Sequence, residues 1–298
     1  MNALARFIMA GPGQASLVAA ATAILAVLLP PMAWVSGGVI ALVVLHLGNL
    51  RGIQVVTLAS VGSMLLGWLV LGSPLVVLGV VLLLWLPVWL IAVVLRNTVS
   101  LGMALQAATV LGVVLVLVLH LAFPQLQTMV SADFAQMLQP VMEQQPSEET
   151  RQQLQQAVNT VLRLLPGILA AGVMMGAVLS LLLGRWWQAV LYNPGGLTKE
   201  FHELRLSRTM AGIGLVLMLA AGVTGVDLLV MLVLVFLMTY LLQGTALIHS
   251  IVKIRQFNRG WLFGFYILLF FVPHLMVPLA VLGITDAWVD YRQRLKTN

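Results

Sequence analysis

The chain has 298 residues, 61% of them hydrophobic and 8% charged, and a mean hydropathy of +1.06. A soluble domain is about half apolar and a quarter charged and cannot hide this much apolar surface, whereas a bilayer takes up helices of roughly 20 apolar residues each. The formal charge of +6 comes from 15 basic residues scattered between apolar runs, which excludes a nucleic-acid patch, and the absence of cysteine excludes disulfides, thiolate metal sites and catalytic thiols.

In lipid the backbone must satisfy its own hydrogen bonds, so long apolar runs mean helices, and the alternation of barrel strands is missing here. The expected fold is all-α: a polytopic helical membrane protein, one integral domain over residues 1–298, with eight to nine transmembrane segments. The stretch MNALARFIMAGPGQAS leads into an apolar run ending at Pro30 and Pro31. Further spans follow at once, so it reads as a retained first helix and not a cleaved leader. Candidate segments cover 16–29, 33–49, 53–71, 75–95, 100–122, 161–184, 209–222, 227–248 and 261–283. The first and seventh are too short to span unaided at about 1.5 Å per residue.

Between the fifth and sixth segments, residues 124–160 are rich in Gln and low in net charge. They read as an extracytoplasmic hairpin of two amphipathic helices. One carries the stripe Val130, Phe134, Leu138 and Met142. The other starts at Pro146 and Ser147, has Glu148 and Glu149 at the positive end of its dipole, and lines up Leu154, Val158, Val161 and Leu165.

An N-terminus in the cytoplasm puts Arg6, Arg51, Arg96, Arg185, Lys199, Arg205, Arg208, Lys253, Arg255 and Arg259 inside, ten of the fifteen basic residues. Asp133, Glu143, Glu148, Glu149 and Asp227 then lie outside. A straight last segment would export the basic tail DAWVDYRQRLKTN. A segment broken at Pro273 and Pro278 would return it to the cytoplasm.

Small residues recur at spacing four: Ala15, Ala19 and Ala23; Ala104, Ala108 and Gly112; and Gly172, Gly176, Ser180 and Gly184. Such ladders let helix backbones approach closely, within one chain or between two. No lysine follows a glycine, which removes the phosphate-cradling G-x-x-x-x-G-K-[ST] loop, and neither H-E-x-x-H nor G-x-S-x-G occurs. Hydrolysis of ATP by that loop, zinc proteolysis and serine hydrolysis have no motif here. The chain is expected not to be an enzyme and to need no cofactor or metal.

Polar groups inside a membrane are functional candidates because lipid penalises them. His120, Asp227 and His274 fall towards the outer leaflet with Trp34 close by, and could line one outward-facing ligand pocket. The plain alternative is that His120 and Asp227 sit in interfacial water and His274 fills a hydrogen bond freed by its neighbouring prolines. No Asp, Glu or Arg series crosses the bilayer, so a proton relay is missing.

The cytoplasmic stretch RWWQAVLYNPGGLTKEFHELRLSR, residues 185–208, begins with Arg185, Trp186 and Trp187, suited to headgroup depth. Asn193-Pro194-Gly195-Gly196 makes a turn. Thr198 is then placed to cap a short helix with Lys199, Glu200, His202 and Glu203 facing water and Phe201 and Leu204 facing the membrane. Glu200 and His202 are two apart and point to different sides, so they do not form an acid-base pair.

At this stretch the chain resembles the proteobacterial branch of the YybS-like membrane proteins, a family of unknown function. It shares an Arg after a small-residue helix, a proline-containing cytoplasmic turn, the F-x-x-L-R-L run into the next span and an extracytoplasmic insertion. The resemblance implies the bacterial inner membrane and a fold similar to the substrate-binding S components of energy-coupling-factor transporters. It also implies a small-molecule ligand and docking on a T component with separate ATPases through an alanine ladder, here Ala15, Ala19 and Ala23. Two readings follow. The first is a ligand-binding transport subunit with a pocket of Trp34, His120, Asp227 and His274. The second is a non-catalytic scaffold that holds partner proteins through Trp186, Phe201 and Arg205.

Overall fold

A computed structural model describes residues 2–125, 130–131, 136–137, 140, 147–258 and 260–297. Helices account for the regular structure of these residues, with no strand among them. In chain order they are α1 (Asn2–Met9), α2 (Pro12–Leu25), α3 (Met32–Leu47), α4 (Asn49–Leu71), α5 (Pro74–Thr98), α6 (Leu101–Ala122) and α7 (Glu148–Arg163). The second half holds α8 (Leu165–Tyr192), α9 (Gly196–His202), α10 (Arg208–Thr224), α11 (Asp227–Ile254), α12 (Gly260–Phe271), α13 (Met276–Val289) and α14 (Tyr291–Thr297), with a 3-10 turn at Pro273–Leu275.

Among the described residues, five helices are long and apolar enough to cross a membrane: α4, α5, α6, α8 and α11. The bent pair α12 and α13 brings the number to six if counted as one span. The 14, 16 and 17 residues of α2, α3 and α10 reach only about 21–26 Å at 1.5 Å per residue, short of a core about 30 Å thick. Prolines open α2, α5 and α8 in the first turn, where a missing N–H costs nothing. Ser100, Ser147 and Ser207 cap α6, α7 and α10 by accepting from the backbone N–H three residues on. The start of α7 at Ser147 is the expected one. Most of the first amphipathic helix, including Phe134, Leu138 and Met142, lies outside the described residues.

The bundle is centred on α3, whose residues Ser36 to Leu45 are all buried. A helix that is apolar all round belongs in the middle of other helices. Its closest neighbour is α8, and small residues set the distance. A Cβ at Gly184 would lie 2.5 Å from Ala41 Cβ and 2.7 Å from the Gly38 carbonyl, and one at Gly37 would lie 2.5 Å from Ser180 Oγ. Only the Ser180–Gly184 half of the ladder is used in this way; Gly172 faces open space and Gly176 approaches only Trp34. Two hydrogen-bond relays lock neighbouring helices. Trp85 Nε1 donates to Ser36 Oγ at 2.8 Å, and Ser36 Oγ donates to the Ala19 carbonyl at 2.7 Å, joining α5, α3 and α2. Thr109 and Thr239 share a hydrogen bond of 2.8 Å between α6 and α11.

Two expected boundaries move. Helix α8 runs past Gly184 to Tyr192, with Arg185 and Trp187 buried inside the chain. The region 261–283 is not one straight segment, because α12 and the stretch from Pro273 meet at 111°. Pro273 cannot continue an α-helix laid down from α12, and the chain folds back so that α13 lies against α11. Gly244 and Gly283 permit that contact, since a Cβ on either would run into a backbone carbonyl, of Leu279 and Tyr240 respectively. The tail therefore ends beside the 185–208 stretch: Arg205 pairs with Asp290, and Arg292 donates to the Leu204 carbonyl at 2.8 Å. The broken form of the last segment is the observed one.

Gly283→Ala is expected to cost about 1–3 kcal/mol, the range for forcing an extra carbon into a packed contact, and to lower the unfolding temperature in detergent. Gly222→Ala, where a Cβ meets nothing within 4 Å, is expected to leave that temperature unchanged or raise it slightly.

Candidate functional site

The ends of α3, α5, α8 and α11 and the starts of α6 and α10 gather at one end of the bundle. They bring their unpaired backbone groups to the same level, and side chains from several elements satisfy them. Arg96 donates to the carbonyls of Val44 and Leu45 at 3.1 and 2.7 Å, and Gln188 donates to Leu45 at 3.1 Å. His46 stacks on Tyr192 with ring centroids 3.8 Å apart.

The 185–208 stretch is fastened onto this end. Gly195, with φ of 85°, takes the left-handed conformation that starts α9 at Gly196, so the cap is Gly195 and not Thr198. The turn carries Glu200 back to Arg185, whose Nε donates to one carboxylate oxygen at 3.0 Å while Nη2 donates to the other. Ser250 Oγ donates to the His202 carbonyl at 2.6 Å, and the Leu206 N–H donates to Gln243 at 3.1 Å. Leu204, expected to face the membrane, is buried in the core. The stretch is a folded wall and not a free arm.

Between this wall, the last turns of α11 and the tail lies a cavity of about 420 Å³, lined by His202, Glu203, Arg205, Ser250, Lys253, Ile254 and Arg292. The other three described cavities are lined by apolar side chains, with Asn258 the one amide, and by no ionisable group. Behind the polar cleft, Asp286 and Arg292 form a buried pair at 3.5 Å, with side chains 1% and 5% exposed. Gln243 reaches the same carboxylate at 3.4 Å. The pair is incompletely satisfied: Asp286 Oδ1 and Arg292 Nε and Nη2 are buried without a hydrogen-bond partner. Burial, the largest cause, holds the Arg292 pKa below the ordinary arginine value; Asp286 and Asp290 oppose the shift and Arg205 adds to it. Burial also lowers the His202 pKa, with the Lys253 and Arg292 charges acting the same way and Glu203 opposing them. His249, on the neighbouring face, shares a 2.8 Å hydrogen bond with Tyr266 and packs edge-on against Phe201.

The four outer candidates do not share a described cavity. Trp34 lines an apolar groove of about 530 Å³ between α2, α3, α5 and α8. His120 is half-buried near the end of α6, and His274 is exposed in the 3-10 turn. Asp227 pairs with Arg163 at 3.7 Å across the end of the bundle opposite the cleft. Ala15 and Ala19 are buried inside the chain and Ala23 is half-buried, so the alanine ladder packs α2 against its own neighbours. Trp186 and Phe201 are half-buried. Arg205 is exposed and held by Asp290 through two contacts of 2.8 and 2.6 Å. Among the described residues no group of three His, Asp or Glu is placed to hold a metal.

Residues 17–287 match the family described as Predicted membrane protein (DUF2232). The chain belongs to this family. No curated protein and no solved structure matches the chain. Membership establishes a membrane protein and assigns no activity, so Arg292, Asp286 and Lys253 rest on geometry alone. Their signal in the sequence is Asp286, an ionisable residue within the last turn of an otherwise apolar helix.

Because burial lowers the His202 pKa, acid is expected to destabilise the fold. Below about pH 6.5, the ordinary histidine value, the unfolded chain takes up a proton that the folded chain resists. Stability is therefore retained above that pH and lost as pH falls below it. The unfolding temperature measured at pH 7.5 and 5.5 should drop for the native chain, and His202→Gln should reduce the drop.

Proposed function

We propose that the chain is a membrane-embedded, small-molecule-binding subunit of a transport system, performing no covalent chemistry itself, whose site is the polar cleft at the loop end. The observation that carries this reading is the folded 185–208 wall: four contacts, from Arg185, Ser250, Gln243 and Arg292, fasten it so that it closes a cavity. Small-molecule sites run from about 300 to 1,000 Å³, and the cleft falls within that range. A scaffold docking partners through Trp186, Phe201 and Arg205 would need those side chains free. Phe201 instead packs on His249 and Arg205 on Asp290.

The likeness to YybS-like proteins and to S components supports a role beside separate energising subunits, a T component and ATPases. In this reading docking would not use Ala15 and Ala19, which are buried. The membrane is the bacterial inner membrane, with the N-terminus and the loop end in the cytoplasm. Basic residues favour that side: Arg96, Arg205, Arg208, Lys253 and Arg292 all cluster at the loop end. Eight crossings, with α2, α3 and α10 among them, plus a re-entrant α12–α13 pair, put both termini inside. The amphipathic insertion is then extracytoplasmic.

The chain has no native cysteine, so single cysteines report sidedness without background. Lys199→Cys and Arg294→Cys should react alike with a membrane-impermeant maleimide, and Glu148→Cys should show the opposite accessibility. Native mass spectrometry of gently purified protein tests binding: a retained small molecule is expected, lost in Ile254→Trp, which fills the cleft, and kept in Trp34→Ala. A ligand-free native chain, or one whose ligand survives Ile254→Trp but not Trp34→Ala, overturns the assignment.

A further inference from the structure

We propose that the loop-end cleft binds a phosphate-type oxyanion, held by the Nε–Nη2 edge of Arg292 together with Lys253. This rests on the reading of the cleft as a binding site and adds the chemical class of what it binds.

A guanidinium donates in parallel from Nε and Nη2, a fork that matches two oxygens of one anion. Arg185 shows the same edge in use within this chain, with Nε and Nη2 each on one oxygen of Glu200. Arg292 spends the opposite side of its head group: Nη1 donates to the Leu204 carbonyl and faces Asp286. Its side chain lines the cleft, while its Nε and Nη2 are buried beneath the lining without a partner, so an anion reaches them by displacing neighbouring side chains of the lining. Donors buried without acceptors are costly, and an arginine has no way to shed them by losing its charge. An oxyanion in the cleft supplies two acceptors at once.

The neighbouring charges agree. Lys253 is exposed on the lining and has no ion-pair partner among the described residues. Arg205 also lines the cleft but is held by Asp290. The lining carries three cations and one carboxylate, Glu203. Asp286 and Asp290 offset two of the cations from outside the lining, so selection comes from the unused donors and not from net charge. The cleft also sits where the long helices end, and basic pockets at the ends of spans take up lipid phosphates. The same chemistry has two sources: the headgroup of an anionic lipid or a soluble phosphorylated molecule.

The test uses the full chain, delipidated in neutral detergent, with native mass spectrometry and thermal-shift titration. The probes are inorganic phosphate, phosphatidylglycerol and, as the comparison without a phosphate, diacylglycerol. Saturable one-to-one binding is expected for phosphate or for phosphatidylglycerol, and which of them binds identifies the source. Lys253→Gln, at an exposed position, and Arg292→Lys, which keeps the charge but removes the fork, should each weaken that binding by about tenfold or more. Asp227→Asn, at the far end, should not change it. The proposal is overturned if neither probe saturates, or if Lys253→Gln and Arg292→Lys, shown to be folded by their unfolding transitions, bind as the native chain does. If neither probe binds but a neutral or cationic molecule co-purifies and is lost in Ile254→Trp, the anion class is wrong and the binding site stands. If nothing co-purifies either, both fall.

Discussion

The contact between α3 and α8 is the constraint on which the rest of the bundle depends. Lipid offers little hydrophobic drive for one helix to leave it for another, so association comes from close packing and from hydrogen bonds that a helix cannot make alone. Gly37, Gly38, Ser180 and Gly184 let two backbones meet at a distance that any larger side chain would forbid. With α3 enclosed, α2 and α5 are fixed on its other sides by the relay through Ser36. The brevity of α3 follows from the same arrangement. A helix surrounded by protein is not obliged to match the thickness of the hydrocarbon.

A second constraint operates at the loop end, where backbone and charged groups must be satisfied without bulk water. Arg96 and Gln188 answer the carbonyls at the end of α3, and Arg185 meets Glu200. The tail answers the 204–206 segment, which dips to the level of Gln243. Glycine makes this possible on the α11 side, because α13 can carry Asp286 to Gln243 only if Gly244 and Gly283 leave room. Not every group there is met: Arg292 Nε and Nη2, Asp286 Oδ1 and His202 Nδ1 are buried without a hydrogen-bond partner. Removing one partner of a buried pair costs about 3–5 kcal/mol, so the Asp286–Arg292 pair is held in place whether or not the cleft is filled.

Much of the fold was legible because apolar runs have one stable form in lipid. The five long helices coincide with expected segments, and Ser147 with Glu148 and Glu149 marks the start of α7 as a serine cap followed by acidic residues should. Boundaries failed where a polar residue had a distant partner. Arg185 looked like an interfacial stop and is an interior residue, because Glu200, fifteen positions on, neutralises it. Leu204 looked lipid-facing and is core, because Gln243 and Arg292 hold the backbone on either side of it. Pairings at such separations have no local signature. The alanine ladder shows the matching limit: spacing four identifies a face that packs closely, and cannot say whether the neighbour belongs to the same chain.

The site shows that limit most sharply. Outer-leaflet candidates were chosen as polar residues placed singly in apolar surroundings, and each has found a local role or open surroundings: Asp227 with Arg163, Trp34 in an apolar groove, His274 at an exposed turn. Asp286 and Arg292 belonged to a tail whose charges were weighed only for sidedness. The break at Pro273 links the two problems. It turns the tail back to the loop end, and the same turn delivers Arg292 to the cleft. A straight last helix would have placed Arg292 at the opposite surface, away from Leu204, Lys253 and His202. The proline that turns the chain back therefore also brings together the residues of the cleft.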